Sequence, residues 1–507
     1  MSDSKRIAKN TIYMYFRMII VLIITLYTSR VVLDILGAED FGLYSSVASV
    51  ATMLLFLNST LSSGTSRFLT FEIGSNNSTR LKNTFNTTFY SHLFLALLIV
   101  LILETVGIWF INNKLVVPNG RILAANIIFQ CSILTSFVSI TQIPYTSVII
   151  AHEDMSIYAY ISIFDAALKL LLVYLLQILG HDKLILYAIL MSVVQVIVSL
   201  LYRWFAIRKY EEARLSLSFN TEIFKNLLNF TGWNLLANLS QSFKTQGTVV
   251  LLNMFFRPAI VAAQTIATQI ASQTLQLYNN FRTAINPQII KLHAAGAELE
   301  SRQFVLKTNI YVFDLCLLIA LPLFLLMEPI LNLWLVDVPE YTVVFAKFLV
   351  VQNVINCIQH SFYTSLLATG NLRLNSIIGF IISVISFLIL YLIFKFGGSL
   401  MWIQYIYIFV AILDSFLLRP IIMYLDAGYQ LKDVYRNIWQ CCKVCIVSIF
   451  LVLPIKLIVS NNIVGYTILL IGSIVSVIFS SYIFIDKSAK CAIKTGIKSR
   501  IKYLKNE

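Results

Sequence analysis

Apolar residues in this chain come in long, nearly unbroken runs separated by short polar connections. Fourteen runs are counted, near 10–33, 41–64, 85–112, 121–149, 156–179, 183–207, 224–253, 259–282, 306–334, 341–369, 374–396, 400–424, 436–459 and 463–485. A hydrocarbon core about 30 Å thick needs roughly 20 apolar residues at about 1.5 Å rise each, and every run is long enough. The pattern predicts an all-α polytopic membrane protein with about 14 transmembrane helices. A transmembrane barrel would show short alternating segments instead.

Segments 1 and 7 open alike, each leading through a short turn into a span dense in small and polar residues. Each second span is followed by an Arg-bearing stretch, SRFLTFEIG at 66–74 and FRTAINPQII at 281–290. This predicts two pseudo-symmetric six-helix lobes in parallel orientation, residues 1–207 and 208–424. Two extra C-terminal spans and a basic tail occupy 425–507. Connections on one side are very short (180–183, 397–399, 460–462). Those on the other side, about 208–223 and 283–305, are too small for a domain, so the chain offers no place for an enzyme.

Composition supports this class: of 507 residues, 58% are hydrophobic and 12% charged, with mean hydropathy +0.81, whereas soluble domains carry about 25% charged residues. The net charge of +14 does not indicate nucleic-acid binding, because the basic residues are dispersed between spans. Most of the 38 Lys and Arg fall on one set of span ends when both termini are placed in the cytoplasm, as the positive-inside rule requires. The first run is too long for a signal peptide and lacks a cleavage site. In the tail, Ile493, Ile497, Ile501 and Leu504 recur at helical spacing among lysines, which fits either a basic amphipathic helix on the inner leaflet or a cationic topology anchor. The seven cysteines lack disulfide or metal spacing and read as buried thiols.

No phosphate loop or dinucleotide motif is present, and the five histidines lack metal-ligand spacing. The chemistry lies in polar stripes inside spans. In segment 7, Asn234, Asn238, Gln241, Thr245 and Thr248 share one face of a straight helix, with Lys244 on its flank. Segment 8 repeats the pattern with Thr265, Gln269, Ser272, Gln276, Asn279 and Thr283, and segment 10 with Gln352, Asn356, Gln359 and Tyr363. Segment 2 carries mostly hydroxyls, which read as helix-to-helix packing. Buried unpaired amides are costly, so stripes 7, 8 and 10 point to a hydrated central cavity able to bind hydroxyl-rich ligands.

Charges within spans narrow the ligand. Asp165 and Lys169 stand four apart and neutralise each other. Arg17 and Lys244 have no acid nearby in sequence, and a charge at the bilayer centre costs at least about 2.5 kcal/mol. Two such cations facing a cavity would bind a phosphate or diphosphate. The alternative for each is a buried pair with Glu104, Asp314 or Asp414. Arg30 lies roughly 140° around the first helix from Arg17 and snorkels at the outer interface.

Three stretches carry a family resemblance: SRVVLDILGAEDFGLYSSV (29–47), IPYTSVIIAHEDMSIYAYISIFDAALKL (143–170) and VAAQTIATQI (261–270). They resemble the bacterial polysaccharide-unit (Wzx-type, O-antigen and capsule) flippases of the multidrug/oligosaccharidyl-lipid/polysaccharide exporter superfamily. The resemblance implies two lobes around a cationic cavity in the bacterial inner membrane. It implies a flippase that moves undecaprenyl-diphosphate-linked oligosaccharide from the inner to the outer leaflet by alternating access. No cofactor is implied beyond H+ or Na+ coupling, for which Asp314 and Asp414 are candidates. Arg17 matches the first-span cavity arginine by position, and Lys244 and Arg282 lie where second-lobe cations occur. Implied partners are the lipid-linked glycan, membrane lipids and the polymerase with its chain-length machinery. The rivals are a drug/cation antiporter of the same fold, expected to rely on cavity acids, and a lipid II flippase. A membrane polymerase or ligase would need a large outer loop.

Overall fold

The computed structural model describes residues 3–74, 77–178, 182–369, 372–460 and 462–484; the basic tail lies outside the described residues, as do the side chains of Asn234 and Arg282. Every described regular element is helical, and all fourteen expected spans are found as helices. Segments 1 and 2 form one element, α1 (Asp3–Thr52), kinked at Gly37, and continue into α2 (Phe56–Gly74). Segment 3 becomes α3 (Ser78–Ile102) and α4 (Ile108–Lys114). It is followed by α5 (Ile122–Ala151), α6 (Met155–Ile178) and α7 (Lys183–Lys209). Segment 7 is α8 (Thr221–Ser242) and α9 (Thr248–Phe255), and segment 8 is α10 (Pro258–Ala294). Segment 9 is α11 (Glu298–Leu325) and α12 (Met327–Trp334), and segment 10 is α13 (Thr342–Cys357) and α14 (Phe362–Thr369). The remainder are α15 (Arg373–Lys395), α16 (Trp402–Leu413), α17 (Arg419–Ala427), α18 (Leu431–Ile458) and α19 (Ile463–Phe484). Among the described residues ten helices are long and apolar enough to cross a membrane. Segments 7 and 8, whose amides lower their hydropathy, are not among the ten, and neither is segment 10, whose break leaves an apolar helix of only 16 residues (Thr342–Cys357). The chain is a multi-pass helical membrane protein.

Two compact units form. The first comprises Met1–Ile266, Trp334–Thr342 and Asn375–Ile403; the second comprises Ala267–Leu333, Val343–Leu374 and Gln404–Glu507. In the first unit α5 is the central helix, packed against α1, α2, α3, α6 and α7. Its buried face is rich in small residues (Ala124, Ala125, Ser132, Ser136, Ser147), which lets neighbouring backbones approach where water supplies no hydrophobic drive. One apolar cluster, around Leu43, Val47, Phe129 and Leu184, fills one end of the unit. Another, around Phe85, Tyr145, Val198 and Tyr202, fills the opposite end. In the second unit α11, α18 and α19 pack together, and α14 packs against α11 and α17.

The LGAEDFG stretch (36–42) proves to be a junction. Gly37 holds φ 72° and ψ 169°, which breaks α1 between its two spans at a position L side chains rarely adopt. Asp40 accepts Arg121 at 2.6 Å, and Arg121 also reaches Asp182, the N-cap of α7, at 2.5 Å. Burial pushes the Asp40 carboxyl up, against the pull of Arg121. A Cβ on Gly42 would lie 1.8 Å from the carbonyl oxygen of Pro258, so only glycine permits that backbone approach.

The AHEDM stretch (151–155) is likewise a clasp. Glu153 takes a left-handed turn (φ 59°) after α5. His152 pairs with Glu212 at 2.6 Å and stacks on Tyr210 at 4.3 Å, while Asp154 holds Lys209 at 2.7 Å and the Tyr210 hydroxyl. Together they pin the α7–α8 connection to the end of α5.

Burial opposes ionisation of Glu212, yet the hydrogen bond from His152, a backbone amide and the His152 charge hold its carboxyl below the usual range. A carboxyl with a depressed folded pKa stabilises the fold above its unfolded pKa, and that contribution is lost as pH falls through the folded value. Glu212→Gln is therefore expected to lower the detergent melting temperature at neutral pH. The difference from wild type should shrink as the pH drops below about 4.3, the free carboxyl value, when melts are recorded from pH 7 to pH 3.

Candidate functional site

Arg17 lies in the first span, half-buried, where α1 packs beside α6. Its guanidinium carbon sits 4.7 Å from the centre of the Tyr158 ring, a cation–π contact that compensates only part of a charge's desolvation. Its Nε is buried without a hydrogen-bond partner. Glu104, Asp165 and Asp414 are each engaged by another residue. Glu104 accepts from Gln130 at 3.1 Å, Asp165 is held by Lys169 at 2.8 Å, and Asp414 binds Arg419. Among the described residues no carboxylate lies within ion-pair distance of Arg17. Arg17 and Asp165 both lie within Coulombic reach of the Tyr202 hydroxyl, which stands 3.4 Å from Ser162 Oγ. Arg203 joins this seam, donating to Thr141 at 2.6 Å with its guanidinium 5.6 Å from the Tyr145 ring. Charge counting places Arg203 at a span end; the fold draws its side chain back among α5 and α7.

A second feature is invisible to straight-helix arithmetic. Among the described residues three spans contain a single π-helical turn, Leu103–Gly107, Phe243–Gly247 and Asp414–Leu418. The wider geometry shows directly where the N–H of Ile108 reaches Leu103 O and that of Arg419 reaches Asp414 O. Such turns are rare and concentrate at functional sites. Each of these carries an ionisable residue of its span: Glu104, Lys244 and Asp414. The first two close on glycines tightly packed by rings, a Cβ on Gly107 falling 2.5 Å from Phe129 and one on Gly247 falling 2.9 Å from Phe387. The extra residue in a π turn rotates the next stretch of helix, so the segment 7 stripe does not continue past Lys244. Gln241 is exposed and Asn238 half-buried, whereas Thr248 is buried and bonds Lys244 O at 2.5 Å.

In the second unit several amides of segment 10 already have partners. Gln352 donates to Tyr407 O at 3.4 Å and Asn353 to Ala271 O at 2.9 Å. Gln359 donates to Asp414 at 2.5 Å and accepts from Arg419, which also reaches Asp414 at 3.5 Å, closing a three-membered ring. Asn356 and Gln269 are half-buried and Gln276 is exposed. The span is broken at 358–361, where successive i to i−3 bonds replace the α pattern. Asn309 bridges the break, donating to Ile358 O at 2.6 Å and accepting from Ser361 N at 3.2 Å. Irregular backbone at membrane depth is tolerated when buried in protein or lining a cavity. Asp314 is a second acid in this unit, with Oδ1 buried and lacking a hydrogen-bond partner. In segment 2, Ser46 and Ser49 bond carbonyls of their own helix at 2.7 and 2.6 Å.

Comparison with known proteins matches residues 7–293 to the family described as "Polysaccharide biosynthesis protein". Among solved structures, "Lipid II flippase MurJ, inward closed conformation" is similar at TM-score 0.65 and 13% identity, covering 94% of this chain and 98% of that one. An outward-facing multidrug resistance MATE family transporter of the MOP superfamily is similar at TM-score 0.54 and 15% identity, covering 95% and 96%. No curated protein matches the sequence at a significant level.

Removing one member of the Asp414–Arg419–Gln359 ring costs the remaining members a bond, at about 1–3 kcal/mol for a weakened polar group. Asp414→Asn and Arg419→Gln are each expected to lower stability by that order. The double variant should regain most of the loss, because both charges are then removed together. Thermal melts of the four proteins measure the coupling.

Proposed function

Because the chain belongs to the polysaccharide biosynthesis protein family, we propose that it is a flippase, moving undecaprenyl-diphosphate-linked oligosaccharide units across the bacterial inner membrane for surface polysaccharide assembly. The observation that carries this reading is Arg17, an intramembrane cation stacked on Tyr158 with no described carboxylate beside it. A diphosphate supplies the missing negative charge, and a planar guanidinium binds it bidentately.

In this reading Arg17 receives the diphosphate and Lys244, on its π turn, adds a point charge. The amides of Asn234, Asn238, Gln241, Gln269, Gln276 and Asn356 serve the sugar hydroxyls, with Arg282 a further cation. Gln352 and Gln359 hold helices in the state described, and become available to cargo only if segment 10 rearranges. The isoprenoid stays in lipid. Alternating access exchanges the site between leaflets without covalent chemistry, so the protein acts as a transporter and not an enzyme. Both termini lie in the cytoplasm, in keeping with the distribution of Lys and Arg. Asp314, a buried carboxyl in a span, is the proposed ion-coupling group; Asp414 is the weaker candidate, being engaged by Arg419 and Gln359. A drug/cation antiporter would need an unneutralised acid beside its cargo, and Arg17 argues for an anion instead.

Losing a charge-assisted hydrogen bond costs about 1.5–3 kcal/mol, roughly 10- to 100-fold. Arg17→Ala and Lys244→Ala are each expected to reduce surface-polysaccharide export by that factor at unchanged membrane level, read by glycan staining beside immunoblots. Normal export in the double variant would remove the cationic site from the mechanism. Asp314→Asn should leave the protein folded but make residual translocation in vesicles insensitive to dissipating proton and sodium gradients. An unchanged gradient response would exclude Asp314 as the coupling group.

A further inference from the structure

The α7–α8 connection presents an apolar edge that the transport reading does not use. Across 214–219 exposure alternates: Leu215 is 45% exposed, Leu217 97% and Phe219 53%, while Ser216 and Ser218 turn inward. The segment is held rigidly. Ser216 N donates to Asn86 Oδ1 at 2.8 Å and Asn86 Nδ2 returns a bond to Ser216 Oγ at 2.9 Å. Asn220 N donates to Thr87 Oγ1 at 3.0 Å and the Asn220 side chain caps α8. Asn86 and Thr87 are themselves buried, and the His152–Glu212 clasp fixes the other end. A segment held this way cannot fold its apolar side chains inward to escape water.

The neighbouring residues indicate what covers this edge. The exposed face of α7, Ile189, Val193, Ile197, Leu200, Trp204 and Ile207, recurs every three or four residues and is the lipid-facing stripe of a span. Near its end Trp204 has Arg208 4.4 Å from its ring, an arrangement of aromatic and cation typical of the membrane–water boundary. The apolar edge begins a few residues later, flanked by exposed Arg208, Arg214 and Lys225, with Glu211 and Glu222 the exposed acids. We infer that 214–219 is an interfacial wedge, with Leu215, Leu217 and Phe219 seated in the headgroup–acyl boundary of the leaflet at this end of the first unit and the cations on its phosphates. Such a wedge would fix the depth and tilt of α7 and α8 in the bilayer. The inference rests on the chain being a membrane protein and not on its cargo.

The test places an environment-sensitive fluorescent amino acid at 217, at 219 or at 211 in the full-length protein. Each is reconstituted in nanodiscs of equal parts phosphatidylethanolamine and phosphatidylglycerol. The probes at 217 and 219 are expected to emit to the blue of the probe at 211. They should be quenched several-fold less by iodide and several-fold more by lipids carrying a nitroxide just below the headgroup. Iodide quenching at 217 and 219 equal to that at 211 overturns the wedge. Shielding from iodide without quenching by the nitroxide lipids also overturns it, since protein rather than lipid then covers the edge.

Discussion

A carbonyl or amide freed inside the bilayer has no water to bond, so each interruption of a spanning helix must bring its own partner. This fold meets that constraint with side-chain donors from neighbouring helices. The carbonyl of Met53, where α1 gives way to α2, accepts Ser242 at 2.7 Å. The break in segment 10 is bridged by Asn309, which Asn437 supports in turn at 2.8 Å. Asn253, fully buried, exchanges bonds with both polar groups of Val116. Polar residues that hydropathy alone would count against a span are what allow these spans to bend and break.

The same accounting separates structural charges from the functional candidate. Asp165 with Lys169, Asp40 with Arg121, and Asp414 with Arg419 and Gln359 are all paired locally, although Asp165 Oδ1 stays without a hydrogen bond. Arg17 has no such pair: its guanidinium rests on a ring and its Nε is unsatisfied, as is the Nε of Arg203, which otherwise donates to Thr141. An exposed ion pair is worth little, but a cation held in a span without a counter-charge is costly unless a ligand or water supplies the partner. The proposed anionic cargo rests on that cation, which lacks a carboxylate partner among the described residues.

The stretches that carry the family resemblance turn out to be scaffold. In SRVVLDILGAEDFGLYSSV the recognisable residues are a kink glycine, an ion-paired aspartate and a glycine that admits Pro258. In IAHEDM they form the clasp on the α7–α8 connection. The side chains proposed for cargo lie elsewhere, because a junction demands specific geometry from few residues whereas a hydrated lining tolerates many polar ones.

From sequence alone the fourteen spans were legible, because bilayer thickness imposes a length and an apolarity that composition records directly. The Asp165–Lys169 pair was legible too, since four residues of helix fix its geometry. Tertiary structure alone decided the rest. The π turns at Glu104, Lys244 and Asp414 add a residue that no periodicity rule anticipates, and so divide the segment 7 stripe. Arg203 and Arg419 are drawn to Thr141 and to Asp414 by packing that sequence does not show. Gln352 and Gln359 read as lining until neighbouring helices supplied their partners. Sequence states which groups need a partner in the membrane; only packing determines whether the protein provides it.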